Sequence, residues 1–377
     1  MLLYGVSVED IMSKLNAKRK VLLTEKQVFN TEVKISWIKK IDEFFNKGIS
    51  YYSDPKNPTN SKDQSIFFRK DNFNAKLSLG AKQIVNKFEE DKIAFSTLAK
   101  LSDFKINRTI PVFKLSENPQ TVAKKIRDLI YPEFNTEKRE FLKNLIAKFA
   151  EYNILVFEFV ETHNKKEKAN INGFFLTPNV IVLKRNQKFL KREIFTLAHE
   201  LGHYLLNEEE IDENINEGNI EINKLSKIER WCNDFAYYFL AGDYSKTVEK
   251  LDNANSQNDY HNDIISTISR NTQLSTISIY TRLLLNNQIS PSNYSIVSNN
   301  ISESIKAWEL KEKQKQEIAK QKALDEGRKI IIPPIRPLIS PLYLKTLQNA
   351  LYSGLINEAD FCKKINIDPK KIEKYLV

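Results

Sequence analysis

Apolar positions in this chain recur with two different periods, and the switch between them marks its centre. From Arg192 to Leu206 they fall at Ile194, Leu197, Ala198, Leu201 and Leu205, three, four and seven apart, which predicts an amphipathic helix. A second helix is expected over 226–240, where Ile228, Trp231, Cys232, Phe235, Ala236 and Phe239 mark a face that would pack on the first. Ahead of both helices the period drops to two. Ile154–Val160, Ile171–Leu176 and Val180–Lys184 read as three strands of an antiparallel meander, joined by a charged hairpin loop at 161–170 and a turn at 177–179.

The flanks read as helical. Residues 1–50 hold short amphipathic turns that fit a small helical cap better than a helix-turn-helix, since no recognition helix stands out. A polar, turn-rich loop follows at 51–64, a short strand at 65–69, helical periodicity over 75–103 and a linker at 111–119. Two helices fill 119–150. After a polar loop at 243–263, residues 264–285 form two short helices joined near Gln273, with Ser275 as N-cap and Thr276, Ser278, Tyr280 and Arg282 on the second. That shape suits a helix-turn-helix or an ordinary hairpin finishing the core. A Lys- and Gln-rich helix at 301–323, a proline-bearing linker at 328–337 and a small helical unit at 341–377 complete the chain; the last also has a helix-turn-helix outline ending in Lys370, Lys371 and Lys374. The expected fold is mainly helical α+β: the 192–206 helix packed on a small antiparallel sheet, with helical flanking domains. Its expected divisions are an N-terminal helical domain at 1–118, with a divergent helix-turn-helix as the alternative to a plain cap, a central domain at 119–290 and a C-terminal part at 291–377.

Composition narrows the class without fixing the function. The 377 residues are 41% hydrophobic and 28% charged, ordinary for a globular chain with a sizeable core. The lack of a run of about eighteen apolar residues excludes a membrane-spanning helix. Glu9 and Asp10 come too early for a secretory signal, and two cysteines make neither a disulfide framework nor a cysteine-rich zinc site, so the expected location is the cytoplasm. The net charge of +10 permits nucleic-acid binding, but the lysines are spread and interleaved with acids, as on an ordinary solvated basic surface.

The chemistry is concentrated in the first helix. It carries His199-Glu200-Leu201-Gly202-His203, and only four histidines occur in the whole chain. Residues four apart share a helix face, so His199 and His203 can address one ion, while Glu200 lies about 100° round the helix, close enough to take a proton from an activated water. A catalytic zinc wants a third protein ligand. Neither His163, in a charged loop, nor His261, in an Asn/Asp-rich one, is placed to supply it, so an acidic ligand is expected. Glu229 is a candidate, but Ser226-x-x-Glu229 is also a capping box, and spacing alone leaves both open. Asn233 and Asp234 could each hydrogen-bond a metal-bound imidazole from behind.

Phe195-Thr-Leu-Ala-His-Glu-Leu-Gly-His203 followed by Glu229-Arg-Trp-Cys-Asn-Asp-Phe-Ala236 resembles the ImmA/IrrE family of zinc metallopeptidases, over roughly residues 119–290. The resemblance implies that Glu229 is the acidic zinc ligand beside His199 and His203, with Glu200 as general base; Cys232 stands where that family usually has alanine. It also implies a protein substrate, commonly a transcriptional repressor. A peptide could lie in extended form along the sheet edge beside the site. The competing expectations are a DNA-binding regulator acting through the helix-turn-helix-like segments, and an antitoxin-like module binding a partner, either with a structural or vestigial metal site.

Overall fold

The computed structural model describes residues 6–30, 32–45, 47–53, 77–161, 168–185, 189–211, 225–328 and 335–376. The expected strand at 65–69, His163 and most of the acidic stretch after the first site helix lie outside these residues, as do most of the 51–64 loop and 329–334 of the C-terminal linker. At the N-terminus, α1 (Val8–Asn16), α2 (Glu25–Val28) and α3 (Ile35–Phe45) gather round Ile11, Leu15, Val28 and Phe44, and α4 (Ile49–Ser53) packs against α3. Ser7 caps α1 in a full capping box with Asp10, and Lys82, on the helix that begins at Leu79, reaches the same Asp10 at 2.8 Å.

The middle of the molecule is layered. The helix α5 (Leu79–Leu101) lies on one face of a three-stranded sheet; α7 (Lys138–Glu151) and α8 (Leu190–Leu206) lie on the other, with α6 (Pro119–Ile130) behind them. The strands are β1 (Leu155–Val160), β2 (Gly173–Leu176) and β3 (Val180–Arg185). Alternation sorts their side chains: Leu155, Phe159, Phe174, Leu176, Val180 and Val182 face α5, whereas Val156, Phe175, Ile181 and Leu183 face α8. The mainly helical α+β class holds, but the sheet is mixed, not an antiparallel meander. Its order is β1-β3-β2, with β3 parallel to β1 and antiparallel to β2. Chain order suggested that β1 and β2 pair. Instead β3, whose unbroken run Val180–Leu183 is buried on both faces, takes the centre, while the equally buried but shorter β2 lies at the edge.

Helix α9 (Lys227–Ala241) packs antiparallel against α8 and also against α6. After α10 (Tyr244–Glu249), α11 (Asn262–Asn271) and α12 (Thr276–Leu285) form the predicted helical pair, with Ser275 capping α12. Ile265, Ile268, Leu274, Ile279, Tyr280 and Leu283 join the same core as α8 and α9, and Arg282 turns inward to Asp234 at 2.5 Å. Tyr280 and Arg282, two of the four side chains singled out on the second helix, are therefore engaged within the fold. Helix α13 (Pro291–Asp325) begins ten residues earlier than expected because Ser290 caps it and Pro291 occupies the first turn. A C-terminal unit, α14 (Pro341–Tyr352) and α15 (Glu358–Ile365), closes on Leu347, Phe361, Cys362 and Ile365, and Tyr343 reaches across to Phe95 and Phe157. Among the described residues no helix is long and apolar enough to cross a membrane.

Candidate metal centre

The site is made where α8 crosses α9. Gly202 faces Cys232 so closely that a Cβ there would sit 3.1 Å from the Cys232 backbone and thiol. That approach brings the last two turns of α8 level with the first two of α9. Ser226 caps α9 by accepting from the Glu229 amide at 3.0 Å. The Glu229 side chain does not close the reciprocal half of a capping box; it turns to the histidines. His199 Nε2 lies 3.1 Å from Glu229 Oε2, His203 Nε2 lies 3.0 Å from Glu229 Oε1, and the two Nε2 atoms are 3.1 Å apart. Among the described residues this trio is the one group of His, Cys, Asp and Glu side chains placed to hold a metal ion.

The other ring nitrogens explain the orientation. His203 Nδ1 donates to the Glu208 carbonyl at 3.2 Å, and His199 Nδ1 donates to Asn233 Oδ1 at 3.1 Å. Each Nδ1 thus carries the proton, and both Nε2 lone pairs face a buried carboxylate. Three lone-pair donors about 3 Å apart repel one another unless a cation or protons lie among them. A tetrahedral zinc with ligand bonds of about 2.0–2.1 Å sets its donor atoms roughly 3.3 Å apart, so the residues fit such an ion.

The metal-free electrostatics say the same thing in protons. Burial opposes ionisation of Glu229, yet the adjacent His199 and His203 rings hold it far below the usual carboxylate range. Burial likewise opposes charge on the histidines, but Glu229 raises His199, and the Cys232 sulfur followed by Glu229 raises His203. Glu200 is pushed up to about 7 by burial, partly offset by the two imidazoles. Its Oε2 is buried without a hydrogen-bond partner. Gly173, first residue of the edge strand β2, abuts it: a Cβ there would meet Thr196 Cγ2 at 2.8 Å and Glu200 Oε1 at 3.1 Å. The Cys232 thiol is pushed up to about 11 by burial and stays neutral.

Five of the six residues singled out in the sequence come together here: His199, Glu200, His203, Glu229 and Asn233. Asp234 does not; it pairs with Arg282 on α12. His261 bonds the Asp252 carbonyl at 2.9 Å in its own loop. The sequence reading missed the Glu208 carbonyl. Asn207, a residue suited to a left-handed helix C-cap, signalled it.

Comparison with protein-family models matches residues 149–284 to the IrrE N-terminal-like domain, a peptidase family that is metal-dependent. Comparisons with curated proteins and with solved structures give no match. The matched region contains the sheet, α8, α9 and every donor atom of the trio. Residues 149–284 of this chain thus match an IrrE N-terminal-like domain, and the match supports a function of the metallopeptidase type.

Proposed function

We propose that the protein is a zinc-dependent endopeptidase that cleaves a partner protein, with a transcriptional repressor as the expected substrate. The observation that carries this reading is the convergence of His199, His203 and Glu229 within 3.0–3.1 Å, with Glu200 one residue along the same helix. Those three side chains would hold Zn²⁺. When bound there, the ion supplies Lewis acidity, polarising a carbonyl and bringing the pKa of a water to about 7. The chain's own residues do the rest. Asn233 and the Glu208 carbonyl fix each imidazole with Nε2 forward. Glu200, through the unpartnered Oε2, accepts the proton of the attacking water and returns it to the departing amine. An extended peptide would run along the edge strand β2, whose Gly173 leaves backbone, with no side chain, beside Glu200.

The test separates binding from chemistry. Elemental mass spectrometry of purified protein should find one zinc in the wild type and in Glu200→Gln, and a large loss in His203→Ala. Cleavage of the partner repressor should be lost in both variants. Normal cleavage by Glu200→Gln would overturn the assigned role of that carboxylate, and a folded wild type without metal would overturn the peptidase reading as a whole.

A further inference from the structure

Two arginines from outside the matched region plug the C-terminal ends of the two site helices. Arg127, on α6, stacks on Tyr131 with its guanidinium 3.5 Å from the ring centroid and donates to the Phe239 carbonyl in the last turn of α9. Arg108, in the segment after α5, stacks on Tyr204 at 3.8 Å and donates to the Tyr204 carbonyl in the last turn of α8. The two devices look alike, but what lies beneath them differs. Glu229 sits at the far end of α9 from Arg127. His203 sits in the very turn that Arg108 closes.

Arg108 makes more of its turn than a simple plug would. Its Nε donates to the Ile110 carbonyl at 2.9 Å; one Nη reaches the Pro178 carbonyl at 3.3 Å and Asn207 Oδ1 at 3.2 Å. Asn207 is the left-handed residue that ends α8, with φ 55° and ψ 38°. That reversal lets the Glu208 amide donate back to the His203 carbonyl at 3.1 Å and puts the Glu208 carbonyl 3.2 Å from His203 Nδ1. A planar fork with five donors in fixed directions can hold several acceptors at once, which a lysine ammonium on a flexible stem cannot. The neighbouring Phe113 amide donates to the Leu205 carbonyl at 2.9 Å, so the segment carrying Arg108 is itself tied to this end of α8.

We infer that Arg108 is a positioning residue for His203: it braces the Asn207 turn that presents the Glu208 carbonyl to the imidazole, and so sets the direction of the Nε2 lone pair. The inference rests on the metal-site reading above and deepens it, because it places part of the metal centre's support outside residues 149–284. Removing partners that orient a ligating histidine typically weakens metal binding about 10–100-fold.

The experiment compares wild type, Arg108→Ala, Arg108→Lys and Arg127→Ala. Zinc dissociation constants are measured by competition with a chromophoric chelator, and the visible absorption of the cobalt-loaded proteins is recorded, with thermal melts as the check on folding. Arg108→Ala should bind zinc about 10–100-fold more weakly and give an altered cobalt spectrum. Arg108→Lys should fall in between. Arg127→Ala should melt lower yet keep the wild-type dissociation constant within about twofold, with a superimposable spectrum. If Arg108→Ala is too unstable to load, Arg108→Lys carries the test, because a wild-type constant and spectrum in that variant would overturn the inference. It is also overturned if Arg127→Ala loses as much zinc affinity as Arg108→Ala, since both arginines would then act only on stability. A wild type that binds no metal overturns the underlying reading and this inference with it, an outcome the wild-type titration reports by itself.

Discussion

Asn233 accepts a hydrogen bond from His199 Nδ1 and so holds that ring with Nε2 toward Glu229. Its alanine variant should keep the fold and bind zinc about tenfold more weakly, because the imidazole is then free to rotate out of line. Chelator competition would read this, with Asn233→Asp restoring most of the loss; equal affinity in Asn233→Ala would remove the orienting role. Asp234→Asn should leave zinc affinity unchanged, since its carboxylate serves Arg282. Sequence reasoning admitted both neighbours as partners of a bound histidine. Helix rotation separates them: Glu229 and Asn233 are four apart and share a face, whereas Asp234 lies about 100° round. The dual character of Glu229 was harder. Ser226 does cap α9, so the local capping signal was real, but the opposing helix decides where the Glu229 carboxylate goes, and local spacing does not contain that helix.

Between elements, the α8–α9 crossing is the feature on which the site depends most. An alanine in place of a glycine inside a helix normally gains up to about 1 kcal/mol from propensity. At Gly202 the sign should reverse. The added methyl would meet the Cys232 Cα, Cβ and Sγ, each at 3.1 Å, and one of those contacts is backbone. Gly202→Ala should therefore destabilise by about 1–3 kcal/mol, as overpacking of a filled interior does, and it should weaken zinc binding because α8 and α9 carry different ligands. Denaturant unfolding with and without zinc checks both; a stabilised variant would show that the helices can separate freely. At this scale the sequence was legible where periodicity is local. The extents of α8, α9 and the three strands are close to those expected. Strand order was not legible from period alone, because alternation says which residues share a face and nothing about which strand is central. The one clue, the unbroken Val180–Leu183 run, needed weighing against the chain-order habit of pairing neighbours.

Across the whole molecule, the C-terminal segment is joined to the peptidase layer through a buried carboxylate. Glu158 on β1 accepts from the Leu338 amide at 2.5 Å and lies 3.8 Å from Arg185 Nε, while Arg185 also pairs with Glu193 in the first turn of α8. A chain of contacts thus runs from residue 338 to the helix that carries both histidines. Burial pushes Glu158 up to about 7; the Leu338 amide and Arg185 offset part of that, and Glu193 adds to it. The sign of the consequence follows from linkage. Between about 4.5 and 7 the folded protein holds a proton on Glu158 that the unfolded chain has released, so this group's contribution to stability is greatest below that window and falls as pH rises through it, by at most about 1.4 kcal/mol per pH unit. Glu158→Gln cannot ionise and escapes that loss. The difference in melting temperature, variant minus wild type, should therefore rise between about pH 5 and pH 7 and level off above. Glu200 is also raised to about 7, but it remains in both proteins, so its titration cancels in the difference when both are compared under the same metal conditions. A difference that stays flat over that range would mean that Glu158 is already ionised at pH 5 and that the Leu338 link does not respond to protons.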